Sequence, residues 1–111
     1  MRTLSWSGGG LGSLIDQEAA FSFQQLTISS VAVTLTATVG LNNAHRAVIT
    51  CETNPIRFRY DGTNPTSTVG HILYPADKLI LEGRVNISNF SAIRASTATD
   101  DAVLMITYET I

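Results

Sequence analysis

Apolar and polar residues alternate along most of this chain, and this period of two predicts β-strands. The clearest example is residues 56–62 (IRFRYDG), where apolar side chains alternate with Arg57 and Arg59 before a glycine turn. We expect a half-buried strand there, with both arginines on the outer face. The apolar and aromatic side chains of this strand, Tyr60 included, are expected to lie in the core.

The same alternation predicts further strands, and Pro or Gly residues mark where several of them end. No stretch keeps helical periodicity for three turns, residues 86–90 favour a short turn, and residues 97–101 are expected to form the last hairpin connection. The pattern predicts an all-β fold: a single small β-sandwich or jelly roll of about 7–8 antiparallel strands, with a small barrel as the alternative. The further predicted strands are residues 20–28, 31–39, 46–52, 71–74, 78–82, 91–95 and 102–108.

The first 17 residues differ from the rest, because four of the eight glycines of the chain lie between positions 8 and 12. We therefore divide the chain into an N-terminal arm, residues 1–17, and a β-sandwich domain, residues 18–111. One interpretation of the arm is a disordered tail. The other is an extended arm that orders on a neighbouring subunit, which would explain why apolar side chains interrupt the glycines. Its candidate interface residues are Trp6, Leu11, Leu14 and Ile15.

Composition favours contact with other proteins over contact with nucleic acid or membrane. The chain has 111 residues, of which 44% are hydrophobic and 14% charged, against a typical charged share of about 25%. A surface of hydroxyls and amides is easier to strip of water than one rich in charges. The net charge is −2, so the chain lacks the excess of basic residues that is typical of nucleic-acid-binding domains. No apolar run reaches the roughly 20 residues of a membrane helix, so we expect a soluble protein.

The residues that could carry chemistry form no recognisable active site. Cys51 is the only cysteine and is expected to be a small buried hydrophobe. His45 and His71 have no ligand-spaced partner, so we expect no metal. The alternative is a calcium site, because Asp61, Asn64 and Asp77 could meet at one end of a sandwich and supply oxygen ligands. With no nucleophile or phosphate-loop motif, we expect no catalytic residues, no cofactor and no enzyme activity.

Arg57 and Arg59 allow two interpretations. Two guanidiniums on one strand face lie roughly 6.5–7 Å apart and repel each other unless other groups lie between them. A nearby acid such as Glu52, Asp61 or Glu82 would make them an ordinary surface pair. Alternatively, they contact another subunit, since the fixed donors of arginine suit protein surfaces.

Several motifs in residues 47–110 resemble those of a known group of proteins. They are IRFRYDGTNPT from residue 56, GHIL from 70, LILEG from 79, FSAIRA from 90 and LMITY from 104. This string resembles small all-β virion structural proteins of tailed bacteriophages, among which are capsid decoration or cement proteins. The N-terminal arm is outside the resemblance.

The resemblance implies a function in assembly. It implies a capsid decoration protein that binds the major capsid protein or another virion protein, stabilises the shell as part of the virion, and forms a homo-oligomer, with a trimer favoured. The alternative is a carbohydrate-binding or tail/baseplate adhesion module, which needs exposed aromatic side chains around a groove. Trp6, Tyr60 and Tyr74 are its few candidates, and the alternation predicts that both tyrosines point inward.

Overall fold

The computed structural model describes residues 19–35 and 44–110. These residues form eight β-strands and one short helix. In chain order the elements are β1 (Ala19–Ile28), β2 (Val33–Thr34), β3 (Arg46–Glu52), β4 (Ile56–Arg59), β5 (His71–Leu73), β6 (Lys78–Glu82), α1 (Arg84–Ser88), β7 (Ser91–Arg94) and β8 (Ala102–Thr110).

The first sheet has the strand order β1-β8-β3-β6, and each neighbouring pair is antiparallel. Buried and half-buried residues alternate along β3 and β8, as the sequence pattern predicts. The register sets Ile49 opposite Ile106, and both side chains are 0% exposed. A register shift between Ala20 and Ser22 interrupts the pairing of β1 with β8.

The second sheet has the order β2-β7-β4-β5 and is also antiparallel. β4 buries Ile56 and Phe58 and keeps its arginines half-buried on the other face. The inner faces of the two sheets share one hydrophobic core, which makes the fold a β-sandwich. Its buried members are Ile28, Leu35, Ala44, Ala47, Ile49, Cys51, Ile56, Phe58, Leu73, Leu81, Ile87, Phe90, Ala92, Ala102, Leu104, Ile106 and Tyr108.

One end of β4 brings together the loop and the helix that form the candidate site. After Arg59 the chain leaves β4, and it returns as β5 at His71. α1 follows β6 and places Ile87 in the core. Phe90, just after α1, stacks on Phe58 with their ring centroids 5.6 Å apart. Side chains of the 60–70 loop and of α1 therefore lie close to one another.

The structure confirms the all-β sandwich. β3 and β6 occupy the predicted residues, 46–52 and 78–82. The predicted N-terminal arm, residues 1–17, lies outside the described residues.

Some local predictions were wrong, because the sequence pattern does not show which strand or sheet a segment packs against. The expected hairpin connection at 97–101 instead crosses from β7 in the second sheet to β8 in the first. Turn-forming residues show that the chain reverses there, but not which sheet it enters. Of residues 31–35, the described part of the strand predicted at 31–39, only Val33–Thr34 form a strand, β2, and Val31 is 67% exposed. Residues 84–88 form a single turn of helix where a plain turn was expected near 86–90.

Candidate binding surfaces

A cleft of about 750 Å³ lies at the end of the sandwich, between the 60–70 loop and α1. This volume falls within the roughly 300–1,000 Å³ of small-molecule sites. The residues that line the cleft include aromatic rings, an ion pair and two amides. They are Arg59, Tyr60, Asp61, Val69, Gly70, His71, Asn86 and Asn89.

A cluster of four rings lies at the cleft, and two of them, Tyr60 and His71, line it. The register of β4 and β5 sets Phe58 opposite His71, and their ring centroids are 5.4 Å apart. Tyr60 stacks on both rings, at 6.4 Å from Phe58 and 6.2 Å from His71. Phe58 and Phe90 are buried and support the two outer rings from the core side.

Tyr60 is 41% exposed, so the prediction that it lies in the core is wrong. It alternates with Ile56 and Phe58 as expected, but it follows Arg59, the last residue of β4. Beyond the end of the strand one side of its ring opens into the cleft. Tyr74 is also exposed, at 53%, because it follows the last residue of β5 in the same way.

Arg59 and Asp61 form a two-point ion pair at the rim of the cleft. The Arg59 Nε atom donates to Asp61 Oδ1 at 3.1 Å, and Nη2 donates to Oδ2. The backbone N–H of Thr63 also donates to Oδ1. The hydrogen bonds from Arg59 lower the pKa of Asp61, and the same pair raises the pKa of Arg59. The neighbouring acid that the first interpretation of the arginines required is therefore Asp61.

Arg57 holds the 60–70 loop through a hydrogen bond to the loop backbone. Its Nη1 atom donates to the carbonyl oxygen of Gly70 at 2.9 Å, while its buried Nε has no hydrogen-bond partner. Gly70 has φ +138°, and a Cβ there would come within 3.1 Å of Phe58 O and Pro65 Cβ. Only glycine combines this backbone angle with so close an approach. Arg57 and Gly70 together fix the point where the chain enters β5.

Two asparagines lie on the opposite wall of the cleft. Asn86, in α1, donates from Nδ2 to the carbonyl oxygen of Glu82 at 2.9 Å. Asn89 lies across from the turn at Gly62, where a Cβ would be 3.8 Å from Asn89 Oδ1. A further bond, from the Ser91 hydroxyl to Asn64 Oδ1 at 2.9 Å, ties the 60–70 loop to β7.

A second candidate surface is the outer face of the first sheet. The register of β1, β8, β3 and β6 places Phe23, Thr107, Val48 and Ile80 in one row across all four strands. Phe23 is 59% and Ile80 48% exposed. We call these four residues the outer row. Phe21, 39% exposed, lies at the register shift of β1, two residues before Phe23.

A charged row borders the outer row on one side. Arg46 is paired in register with both Glu82 and Glu109. Its guanidinium bonds Glu109 Oε1 at 2.7 Å and lies 3.6 Å from Glu82 Oε2. An apolar patch with charged residues at its edge is compatible with a protein contact surface, whose buried centre is apolar and whose rim is polar.

The remaining candidates for chemistry have structural roles. Cys51 is 1% exposed, and its thiol donates to Asn54 O at 3.1 Å, so the predicted buried hydrophobe is confirmed. Asp77 accepts the backbone N–H of Tyr74 at 3.0 Å, and Asn64 accepts from Ser91. Within residues 19–35 and 44–110, no three His, Cys, Asp or Glu side chains cluster as metal ligands would.

The sequence interpretation missed both the outer row and the amides of the cleft. Apolar residues at three successive positions of β6, Leu79, Ile80 and Leu81, were the available signal that one of them faces outward. No such signal exists for Asn86 and Asn89, because their place in the wall of the cleft depends on the packing of α1. The predicted interface residues Trp6, Leu11, Leu14 and Ile15 lie outside the described part of the chain.

Comparison of the chain with protein-family models, with curated proteins and with solved structures found no match. Of the helices in the described part of the chain, none has the length and apolar character needed to cross a bilayer.

Proposed function

We propose that this chain is a structural protein of a tailed bacteriophage virion and acts as a capsid decoration protein that binds and stabilises the assembled shell. The resemblance in residues 47–110 supports the class of protein. The observation that carries the proposal is the outer row on the first sheet, which exposes the apolar side chains of Phe23 and Ile80 on a rigid surface. The role is assembly rather than catalysis.

The outer row supports binding to protein because moving its exposed apolar side chains out of water lowers the free energy. Burying a fully exposed side chain of this size contributes roughly 1.5–3 kcal/mol, and because Phe23 and Ile80 are 59% and 48% exposed, each can contribute roughly half of that on binding. Both side chains project from a four-stranded sheet whose backbone is already ordered, so little conformational entropy of the backbone is lost on binding. Arg46 and its two glutamates carry a net charge of −1, so they suit the solvent-accessible rim of a contact rather than its buried centre.

The partner we propose is the major capsid protein or another virion protein. We also propose that the chain binds it as a homo-oligomer, with a trimer favoured. A protein that binds only the assembled shell stabilises it in proportion to its occupancy. Residues of the N-terminal arm, with Trp6 as the anchor, would add contacts on a neighbouring subunit. The proposal does not depend on Arg57 and Arg59, which bond Gly70 and Asp61 of the same chain.

Complementation during phage growth tests the proposal. A phage lacking this gene is grown in host cells that supply the wild-type chain, Phe23→Ser or Val85→Ser, and the purified particles are analysed by quantitative mass spectrometry. Val85 is the matched control, since it is 69% exposed and lies in α1. We expect wild type and Val85→Ser to enter the particles equally and Phe23→Ser to enter at least about tenfold less, the effect of 1.4 kcal/mol.

Two results would contradict the proposal. If the wild-type chain is absent from the particles, the protein is not a virion component. If Phe23→Ser is incorporated as well as Val85→Ser, the outer row does not hold the chain on the shell.

A further inference from the structure

We propose that the cleft between the 60–70 loop and α1 is a carbohydrate-binding site that takes a neutral pyranose ring. This inference is independent of the virion proposal, because the residues that line the cleft do not overlap with the outer row. It assigns a ligand to a second surface of the same molecule.

The first argument is the pair of outer rings. Tyr60 and His71 are both exposed and line the cleft. The face of an aromatic ring carries partial negative charge, and the C–H bonds on one side of a pyranose carry partial positive charge, so the two surfaces attract. Phe58 holds both rings from behind, with its centroid 5.4 Å from His71 and 6.4 Å from Tyr60. The stacking surface is therefore ordered before the ligand arrives.

The second argument is the mixture of donors and acceptors around these rings. Sugar hydroxyls both donate and accept hydrogen bonds, and carboxylate and amide groups supply the complementary atoms. Asp61 offers acceptor oxygens, and the amides of Asn86 and Asn89 offer both kinds of atom on the opposite wall. A site that combines aromatic surface with a few convergent polar groups matches what small polar ligands require.

The third argument is charge, which separates a neutral sugar from a phosphate or another anion. Asp61 takes two hydrogen bonds from Arg59, so the guanidinium is already neutralised at the rim. An anion would have to compete with that carboxylate for the guanidinium and would then lie close to an unpaired Asp61. A neutral ligand can donate a hydrogen bond to Asp61 Oδ2, which can accept a second bond beside the one from Arg59, while the ion pair stays intact.

The fourth argument is that the walls are held in place. Arg57 bonds the carbonyl of Gly70, and Ser91 bonds Asn64, so the 60–70 loop is fixed at two points. Gly70 lets the backbone pass within contact distance of Phe58 and Pro65. A weakly binding ligand benefits from such order, because little conformational entropy is lost on binding.

A glycan array probed with the full-length chain tests the assignment. The array carries neutral glycans of glucose, galactose, mannose, rhamnose and N-acetylglucosamine, together with sialylated, sulfated and phosphorylated glycans and unrelated peptides. We expect retention on one or more neutral glycans. Titration of the best of these, monitored by amide NMR, should shift the signals of residues 59–62 and 86–89.

Tyr60→Ala and Tyr74→Ala provide the matched pair of variants. Both tyrosines are exposed, at 41% and 53%, and only Tyr60 lines the cleft. Tyr60→Ala should weaken binding at least about tenfold, equivalent to 1.4 kcal/mol, and Tyr74→Ala should leave it unchanged. Asn89→Ala, which removes an amide and no ring, should also weaken binding and shows whether Tyr60→Ala acts only through a loss of fold.

The inference is overturned if no neutral glycan is retained. It is also overturned if only anionic glycans or peptides are retained, or if Tyr60→Ala and Tyr74→Ala weaken binding equally. None of these outcomes bears on incorporation into particles, so this inference and the virion proposal can fail separately.

Discussion

Among the residues that the structure describes, Cys51 and Tyr108 are buried side chains whose acid–base behaviour changes on folding. Burial, with smaller contributions from Asp77 and Glu52, raises the pKa of Cys51 from 9.0 to about 11. Burial raises the pKa of Tyr108 from 10.0 to about 12, and its hydroxyl donates to Gln24 Oε1 at 2.7 Å. Both groups stay neutral in the folded protein at a pH where the unfolded chain ionises.

This difference predicts a loss of stability at alkaline pH. For a pKa raised by folding, the stabilising contribution is complete below the unfolded value and is lost as pH rises through the folded value. The window for Cys51 runs from pH 9.0 to about 11. We expect the free energy of unfolding, measured by urea titration, to fall across this window. It should fall less steeply in Cys51→Ala, and equal slopes for the two proteins would contradict the argument.

Arg59 and Asp61 give the second prediction at the scale of the residue. Asp61 has a lowered pKa because Arg59 bonds its carboxylate. A carboxyl pKa lowered by folding stabilises the protein above the unfolded value, and this contribution is lost as pH falls through the folded value. NMR titration of the Asp61 carboxyl should give a pKa below the usual value of about 3.9. Arg59→Gln should raise it, whereas Arg94→Gln, whose partner is Asp101, should not.

The elements show how far alternation can be used for prediction. β3 and β6 were predicted at their observed bounds because both alternate clearly and because Pro or Gly follows each within a few residues. The pairing of β3 with β8, about 50 residues away in the sequence, could not be derived, since alternation gives the face of a residue and not its neighbour strand. The single turn of α1 was too short to show helical periodicity.

The same limit explains why the sequence did not predict the cleft. Alternation placed Tyr60 on the inner side of β4, where Ile56 and Phe58 are buried. Tyr60 is nevertheless exposed, because the strand ends one residue earlier, at Arg59. Strand ends are set by the turn that follows and by the packing of the other sheet, neither of which a period of two encodes. The chemical character of the cleft therefore appeared only once the 60–70 loop and α1 were placed.

Gly70 provides the prediction at the scale of the element. Gly70→Ala forces a side chain into a backbone with φ +138° and within 3.1 Å of Phe58 O. It should therefore lower the free energy of unfolding by more than about 1 kcal/mol. Gly62→Ala is the matched control, since Gly62 also has positive φ, +87°, but its Cβ would meet nothing closer than 3.8 Å. Urea unfolding of both variants makes the comparison, and an equal loss would show that close approach at Gly70 is unimportant.

At the scale of the molecule, residues 19–35 and 44–110 form a sandwich that carries two different candidate surfaces. The outer row lies on the outer face of the first sheet, and the cleft lies beside β4 of the second sheet. One core connects them, so both surfaces are held rigidly with respect to the same set of buried side chains. A protein arranged in this way can bind a shell through one surface and leave the other available to a ligand.

The oligomeric state is a prediction at the scale of the whole molecule. Contacts of the N-terminal arm with a neighbouring copy would favour a homo-oligomer, and the virion proposal favours a trimer. Light scattering coupled to gel filtration should give a molar mass about three times that of the 11.9 kDa chain. Deletion of residues 1–17 should lower the fraction of trimer. A wild-type chain that remains monomeric at all concentrations would contradict this prediction.

The most direct test of the virion proposal is quantitative mass spectrometry of purified, intact phage particles from the source of this sequence. We predict that this chain is present, at a copy number comparable with that of the major capsid protein, because a decoration protein covers the repeated surface of the shell. A chain found in the infected cell but absent from the purified particles would contradict the account.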